Sequence, residues 1–115
     1  MKLFSYSSCS TCRKAIKWLK KHELAFELID ILQSPPSKEM LISACELYGD
    51  RKYLLNTSGA MYRSIGSDVV KKMTDSELFE QLVMEPRLIK RPFLHKSSKC
   101  FLVGFKEEKW AEILL

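Results

Sequence analysis

Lys2-Leu3-Phe4-Ser5-Tyr6-Ser7-Ser8-Cys9-Ser10-Thr11-Cys12-Arg13-Lys14-Ala15-Ile16-Lys17-Trp18-Leu19 sets the architecture of this chain. Residues 2–6 are a short strand, with apolar Leu3 and Phe4 followed by the strand former Tyr6. Ser7 and Ser8 break it and offer helix caps. From Ser10 to about His22 the pattern is helical: Cys12, Ala15, Ile16 and Leu19 recur at three- and four-residue spacing, while Lys14, Lys17 and Lys21 point away. The pair Cys9/Cys12 therefore straddles a strand-to-helix junction. A helix N-terminus carries about half a positive charge and several unpaired N–H groups. Both favour a thiolate, so Cys9 is expected to be an acidic, nucleophilic thiol. By spacing alone the pair could close a disulfide, bind a metal or pack inertly; its placement favours the first.

Working outward, residues 25–31 (Ala25 to Ile31) form a second apolar strand, which completes a right-handed β-α-β unit with a parallel pair. Ser34-Pro35-Pro36-Ser37 breaks the chain, and Ser37 caps a helix to about residue 48 with Met40, Leu41, Ala44, Cys45, Leu47 and Tyr48 as its apolar positions. Gly49-Asp50 stops that helix. Asn56-Thr57-Ser58-Gly59 is a turn, and Met61, Tyr62 and Ile65 mark a short helix ending at Gly66. Thr74-Asp75-Ser76-Glu77 is a capping-box signature opening a helix that Pro86 terminates. Pro92 to His95 and Cys100 to Val103 are two apolar segments joined by Lys96-Ser97-Ser98-Lys99, a hairpin with a four-residue loop. Residues 107–115 are a closing helix carrying Trp110, Ile113 and Leu114. The predicted fold is α/β: a mixed four-stranded sheet in the order β-α-β … β-β-α, thioredoxin-like. One domain spans 1–115, its thioredoxin-like part being about 1–33 and 88–115 and a helical insertion about 34–87.

Composition narrows the function classes. The 115 residues suit one domain, and 46% hydrophobic content supplies a real core. The N-terminal residues are too short and too polar for a signal peptide, and no apolar run approaches a membrane span. A cytosolic setting is expected, in which a disulfide would be transient and catalytic or sensory. The net charge of +5 suits anionic small molecules, an acidic protein partner or weak nucleic-acid contact. Its cations gather on the first helix (Arg13, Lys14, Lys17, Lys20, Lys21) and near the C-terminal strands (Arg87, Lys90, Arg91, Lys96, Lys99), where they read as a solvated face. His22 and His95 lack ligand spacing to the cysteine pair, so no metal site is expected. Cys45 and Cys100 are expected to be core thiols, and Trp18 and Trp110 packing residues. No nucleic-acid motif is present.

Four segments together resemble one family. Tyr6 through Leu19, Leu54-Leu55-Asn56-Thr57, Ile89-Lys90-Arg91-Pro92 and Leu102-Val103-Gly104-Phe105 stand in the order found in the arsenate reductase–related family. That family includes glutaredoxin-coupled arsenate reductases, Spx transcriptional regulators and small uncharacterised thiol proteins. The resemblance implies that Cys9 is the nucleophile, Arg91 the arginine that binds oxyanion or steadies the thiolate, and Pro92 a cis proline. Two further arginines of the true reductases fall at Asn56 and at or near Gly104 here. An oxyanion site without them loses most of its bidentate donors, so arsenate is not the expected substrate. Cys12, absent from those reductases, resembles the redox switch of the Spx group and is expected to resolve a mixed disulfide on Cys9. The candidate site is thus Cys9, Cys12 and Arg91 as catalytic residues, with Pro92, Asn56, Ser10 and Thr11 as binding residues. The expected activity is thiol–disulfide exchange with no bound cofactor, reduced by glutathione, a glutaredoxin or a thioredoxin. The alternatives are an Spx-like regulator docking on the RNA polymerase α subunit and a glutaredoxin-coupled arsenate reductase.

Overall fold

The computed structural model describes residues 1–115. Strand β1 (Lys2–Ser5) is followed by helix α1 (Ser10–Lys21), strand β2 (Glu27–Asp30) and helix α2 (Lys38–Tyr48). Next come a 3-10 turn at Arg51–Leu54, then α3 (Ala60–Ile65), α4 (Ser67–Lys72) and α5 (Asp75–Met84). A second 3-10 turn at Pro86–Leu88 leads to β3 (Phe93–Ser97), β4 (Cys100–Val103) and α6 (Glu107–Leu114). The sheet order is β2-β1-β3-β4; β1 is parallel to β2 and β3 antiparallel to β4, as the sequence pattern predicts, and β1 is antiparallel to β3. No helix is long and apolar enough to cross a membrane.

Register divides the core in two. Leu3 pairs with Leu94, which pairs with Leu102, and this row of leucines faces Ala15, Trp18, Leu19 and Trp110 on α1 and α6. Phe4 pairs with Phe93 and turns to the other face, where Phe93 and Phe101 meet Ile31, Leu41, Leu54, Leu82 and Ile89 beneath the helices of residues 38–84. Neighbours in a strand point to opposite faces, so the dipeptide Leu3-Phe4 anchors both layers. Each such side chain, fully buried, contributes about 1.5–3 kcal/mol. Trp18 and Trp110 meet edge-on at 6.1 Å, and the Trp110 indole N–H donates to the Gly104 carbonyl at 3.0 Å.

The helix ends follow the expected chemistry. The Ser37 hydroxyl accepts from the Met40 N–H at 3.2 Å, and Gly49 ends α2 in the left-handed region at φ +82, which a side chain disfavours. Thr74 and Glu77 form a reciprocal capping box: the Thr74 N–H donates to the Glu77 carboxylate at 2.8 Å, which holds that carboxyl below its usual range, and the Thr74 hydroxyl accepts from the Glu77 N–H at 3.2 Å. The Arg51 guanidinium ties the first 3-10 turn to the end of α4, donating to the Met73 carbonyl at 2.7 Å and to Asp75 at 3.0 Å.

Several expectations are corrected. The hairpin loop is Ser98-Lys99, because Ser97 pairs with Cys100 across an irregularity between His95 and Ser97. The second strand shortens to Glu27–Asp30, since β1 offers only four residues to pair with it. Helix α4 and both 3-10 turns carry no clear apolar period, so the sequence pattern does not announce them. Leu47 and Ile113, expected on core faces, are 54% and 38% exposed. Trp18 is buried, whereas Ile16, expected on the inner face of the same helix, is half-buried. Cys45 and Cys100 are half-buried; Cys45 packs against the core, whereas Cys100 does not. Burial and the charges of Asp75 and Asp50 push the Cys45 thiol up. Replacing Thr74 with Ala is expected to cost about 1 kcal/mol, read as a lower urea midpoint at unchanged slope.

Candidate functional site

Cys9 is the N-cap of α1, in extended backbone at φ −98 and ψ 112. Its carbonyl accepts from the Arg13 N–H at 3.1 Å, so the helix begins on this residue. Its Sγ accepts from the Cys12 N–H at 3.1 Å. A sulfur in this position receives one of the donors that a helix start otherwise leaves unpaired. Cys9 is half-buried and open to solvent, whereas Cys12, one turn on, is fully buried. Burial, and next the hydrogen bond with Cys9, push the Cys12 thiol up to about 11, against partial relief from the Tyr6 main chain and Ser5. The two sulfurs are thus differentiated by depth, and all four cysteines are free thiols.

Cys9 opens into a cavity of about 420 Å³ whose walls come from four distant parts of the chain. Ser8, Ser10 and Thr11 come from the start of α1; Asn56 and Ser58 from the turn after the first 3-10 segment; Lys90 and Arg91 from the approach to β3; Gly104 and Lys106 from the end of β4. No carboxylate lines it. Lys90, Arg91 and Lys106 make it a site for anionic groups.

Main-chain pairing builds this wall. Leu55 and Ile89 form an antiparallel bridge, the Lys90 N–H donates to the Leu54 carbonyl at 2.7 Å, and the Asn56 N–H donates to the Leu88 carbonyl at 2.8 Å. These bonds hold Asn56 beside Lys90 and Arg91. The Asn56 amide is then spent on the wall itself, donating to the Arg87 carbonyl at 3.4 Å and accepting from the Ser58 hydroxyl at 3.3 Å. The Arg91–Pro92 peptide is cis, as the resemblance implies. The Arg91 guanidinium lies 5.0 Å from the centre of the Tyr6 ring and donates to the Arg87 carbonyl at 3.4 Å. It makes no hydrogen bond to Cys9, so it acts on the cavity through charge. Gly104, at φ +74, lets Lys90 cross above it: a Cβ there would come within 3.0 Å of the Lys90 Cε.

Of the sequence candidates, Cys9, Ser10, Thr11, Asn56 and Arg91 line one cavity. Cys12 and Pro92 are buried and do not line it. Sequence reasoning does not assign Lys90, Lys106, Ser8 or Ser58 to the site. The available signal is the position of Lys90 directly before Arg91-Pro92 and of Lys106 two residues after Gly104.

Comparison with known proteins places the chain in a family. Residues 4–113 match the model of the ArsC family. The chain is similar to the uncharacterized protein YusI of Bacillus subtilis, 41% identical over 109 residues, covering 93% of this chain and 92% of YusI. It is also similar to the global transcriptional regulator Spx of Streptococcus agalactiae, 33% identical over 108 residues, covering 93% of this chain and 77% of the regulator. Among solved structures, a possible arsenate reductase from Streptococcus mutans matches with a TM-score of 0.87 and 32% identity, covering 96% of each chain.

The depth difference between the thiols has a direct readout. At neutral pH, Cys9 should be alkylated by iodoacetamide at least about tenfold faster than the other cysteines, with Cys9→Ser removing that phase. Equal labelling of Cys9 and Cys45 would contradict the assignment. The folded protein holds the Cys12 proton more tightly than an ordinary thiol of value 9.0. Stability is therefore expected to fall as pH rises from about 9 towards about 11, and less steeply in Cys12→Ala.

Proposed function

This chain belongs to the ArsC family, and we propose that it is a thiol–disulfide oxidoreductase in which Cys9 is the nucleophile and Cys12 the resolving thiol. The observation that carries the reading is the 3.1 Å hydrogen bond from the Cys12 N–H to Cys9 Sγ at the mouth of a cationic cavity. That donor steadies negative charge on sulfur, and Lys90, Arg91 and Lys106 draw an anionic client or reductant towards it.

The electrons balance in two exchanges. Cys9 Sγ, as thiolate, attacks one sulfur of a client disulfide; a Cys9–client disulfide forms, and the other client sulfur leaves as thiolate. Cys12 then loses its proton and attacks Cys9 Sγ, closing a Cys9–Cys12 bridge and releasing the second client thiolate. The client gains two electrons and the cysteine pair loses two. Glutathione, a glutaredoxin or a thioredoxin reverses the sequence and restores both thiols.

The first exchange is expected to outrun the second. Burial, the larger cause of the raised Cys12 value, persists when Cys9 is in a mixed disulfide, so few Cys12 thiols ionise near neutrality. Mass spectrometry of protein quenched during reduction of a small disulfide should therefore find the Cys9 mixed disulfide at pH 7 and less of it at pH 9. Cys9→Ser should lose all turnover. Cys12→Ala should keep the first exchange and trap the adduct. Turnover that survives Cys9→Ser would end the proposal.

A second reading is favoured by the 33% identity to a global transcriptional regulator. Here the same bridge would control docking on the RNA polymerase α subunit. It predicts that the purified C-terminal domain of that polymerase α chain is captured by one redox form only, and capture by neither form removes it. Arsenate reduction has less support, because Asn56 and Gly104 stand where guanidinium forks would be needed and lysines supply charge without the fork. No turnover of arsenate with glutathione and glutaredoxin is expected.

A further inference from the structure

The Cys9 cavity does not end at Lys106. Past Val103 and Gly104 it continues into a depression of about 250 Å³ bounded by Tyr48, Tyr53 and Lys109. That depression shares Tyr48, Leu102 and Lys109 with a third hollow of about 320 Å³, which reaches Leu47, Ile113 and Lys99. Through these shared lining residues the three hollows follow one another as a groove along β4, an outer strand of the sheet. Exposed Lys90, Lys106, Lys109 and Lys99 mark its course, Arg91 stands at its Cys9 end, and no carboxylate lines any part of it. Its far end is apolar, and this is where Leu47 and Ile113 fail to reach the core.

We infer that this groove takes an extended acidic polypeptide segment and delivers that segment's disulfide-bonded cysteine to Cys9, which attacks that sulfur and expels its former partner as a thiolate. The inference rests on the thiol-exchange reading and names its client class: a protein cysteine in an acidic, partly apolar stretch. A small thiol needs only the cavity at Cys9, and would leave Lys99, Lys109 and the apolar end unused. Charge complementarity runs the full length of the groove, and its far end adds apolar contact. Strand addition is not the mode of binding at Val103, since the Tyr48 hydroxyl already accepts that N–H at 2.9 Å; side chains hold the segment. A nucleic acid fits less well. Single strands bind by stacking successive bases on open aromatic faces, and the groove exposes one such ring, Tyr53, with Lys52 Nζ 5.2 Å from its centre.

The test uses the reduced full chain and twelve-residue peptides with one central cysteine, flanked by glutamate or by lysine, each activated as a mixed disulfide with thionitrobenzoate. Attack of Cys9 on the peptide sulfur forms the Cys9–peptide disulfide and expels the coloured thionitrobenzoate thiolate, whose low basicity makes it the leaving group. The glutamate peptide should react about tenfold or more faster than the lysine peptide at low salt, an advantage that salt removes. Lys99→Glu with Lys109→Glu, both remote from Cys9, should erase the advantage and partly transfer it to the lysine peptide. Their rate with activated free cysteine should stay unchanged. Equal rates for the two peptides, or an advantage indifferent to Lys99 and Lys109, would overturn the groove. Fluorescence anisotropy with cysteine-to-serine peptides reads binding without exchange. Loss of reactivity with activated free cysteine alongside retained binding of the glutamate peptide would count against the oxidoreductase and not the groove. Oligothymidine bound as tightly as the glutamate peptide, through the same lysines, would overturn the polypeptide assignment.

Discussion

Everything in this molecule hangs on the central strand β1 burying Leu3 on one face and Phe4 on the other. The two side chains are neighbours in sequence and belong to different cores. The leucine row Leu3, Leu94 and Leu102 receives α1 and α6, and the phenylalanine row receives the helices of residues 38–84. A one-residue slip would exchange the rows and turn both layers the wrong way out. The same strand also aims the chain at Cys9. With β1 fixed between two packed faces, the turn at Ser7-Ser8 has little freedom in where it starts α1. The start of α1 sets the depth of Cys9 and Cys12.

The chemistry at that turn is a consequence of depth. Cys12 is the first apolar position of α1 and packs fully inside, where burial holds its proton. Its amide, freed by the helix start, is aimed back at Cys9 Sγ. One turn of helix thus sets the two sulfurs at different depths, the buried one holding its proton and the outer one accepting an amide, without any charged partner in hydrogen-bond contact. The arginine expected to play that part is engaged with Tyr6 and the Arg87 carbonyl, and contributes charge to the cavity wall.

The cavity wall depends on the helical segment in a way that its sequence does not advertise. Arg51 anchors the first 3-10 turn to the end of α4, and the following residues pair with Leu88, Ile89 and Lys90. Asn56 reaches the site as the end of that short ladder. The turn at Gly104 adds the opposite wall, its carbonyl held by Trp110 and its absent Cβ leaving room for Lys90. The cationic character of the groove therefore comes from lysines on three unconnected segments, with the carboxylates of α6 outside its lining.

The sequence alone determined the elements that local physics can specify. Alternating apolar residues, helical spacing, Ser37 and Thr74 as caps, and Gly49 as a stop gave the sheet, five of the six helices and the site of Cys9. Four motifs in order gave the family resemblance, the cis peptide before Pro92 and Arg91 as a cavity residue. What only the tertiary structure decided has no local signature. Helix α4 and the 3-10 turns form because Arg51 and the core demand them. The two-residue hairpin loop follows from register across the sheet. Lys90 and Lys99 read as an ordinary solvated surface in the chain, and nothing local marks Lys106 or Lys109, since a lysine's charge is the same wherever it lies. They become one acid-free groove because β4 carries the chain from one end of it to the other and α6 folds back beside it.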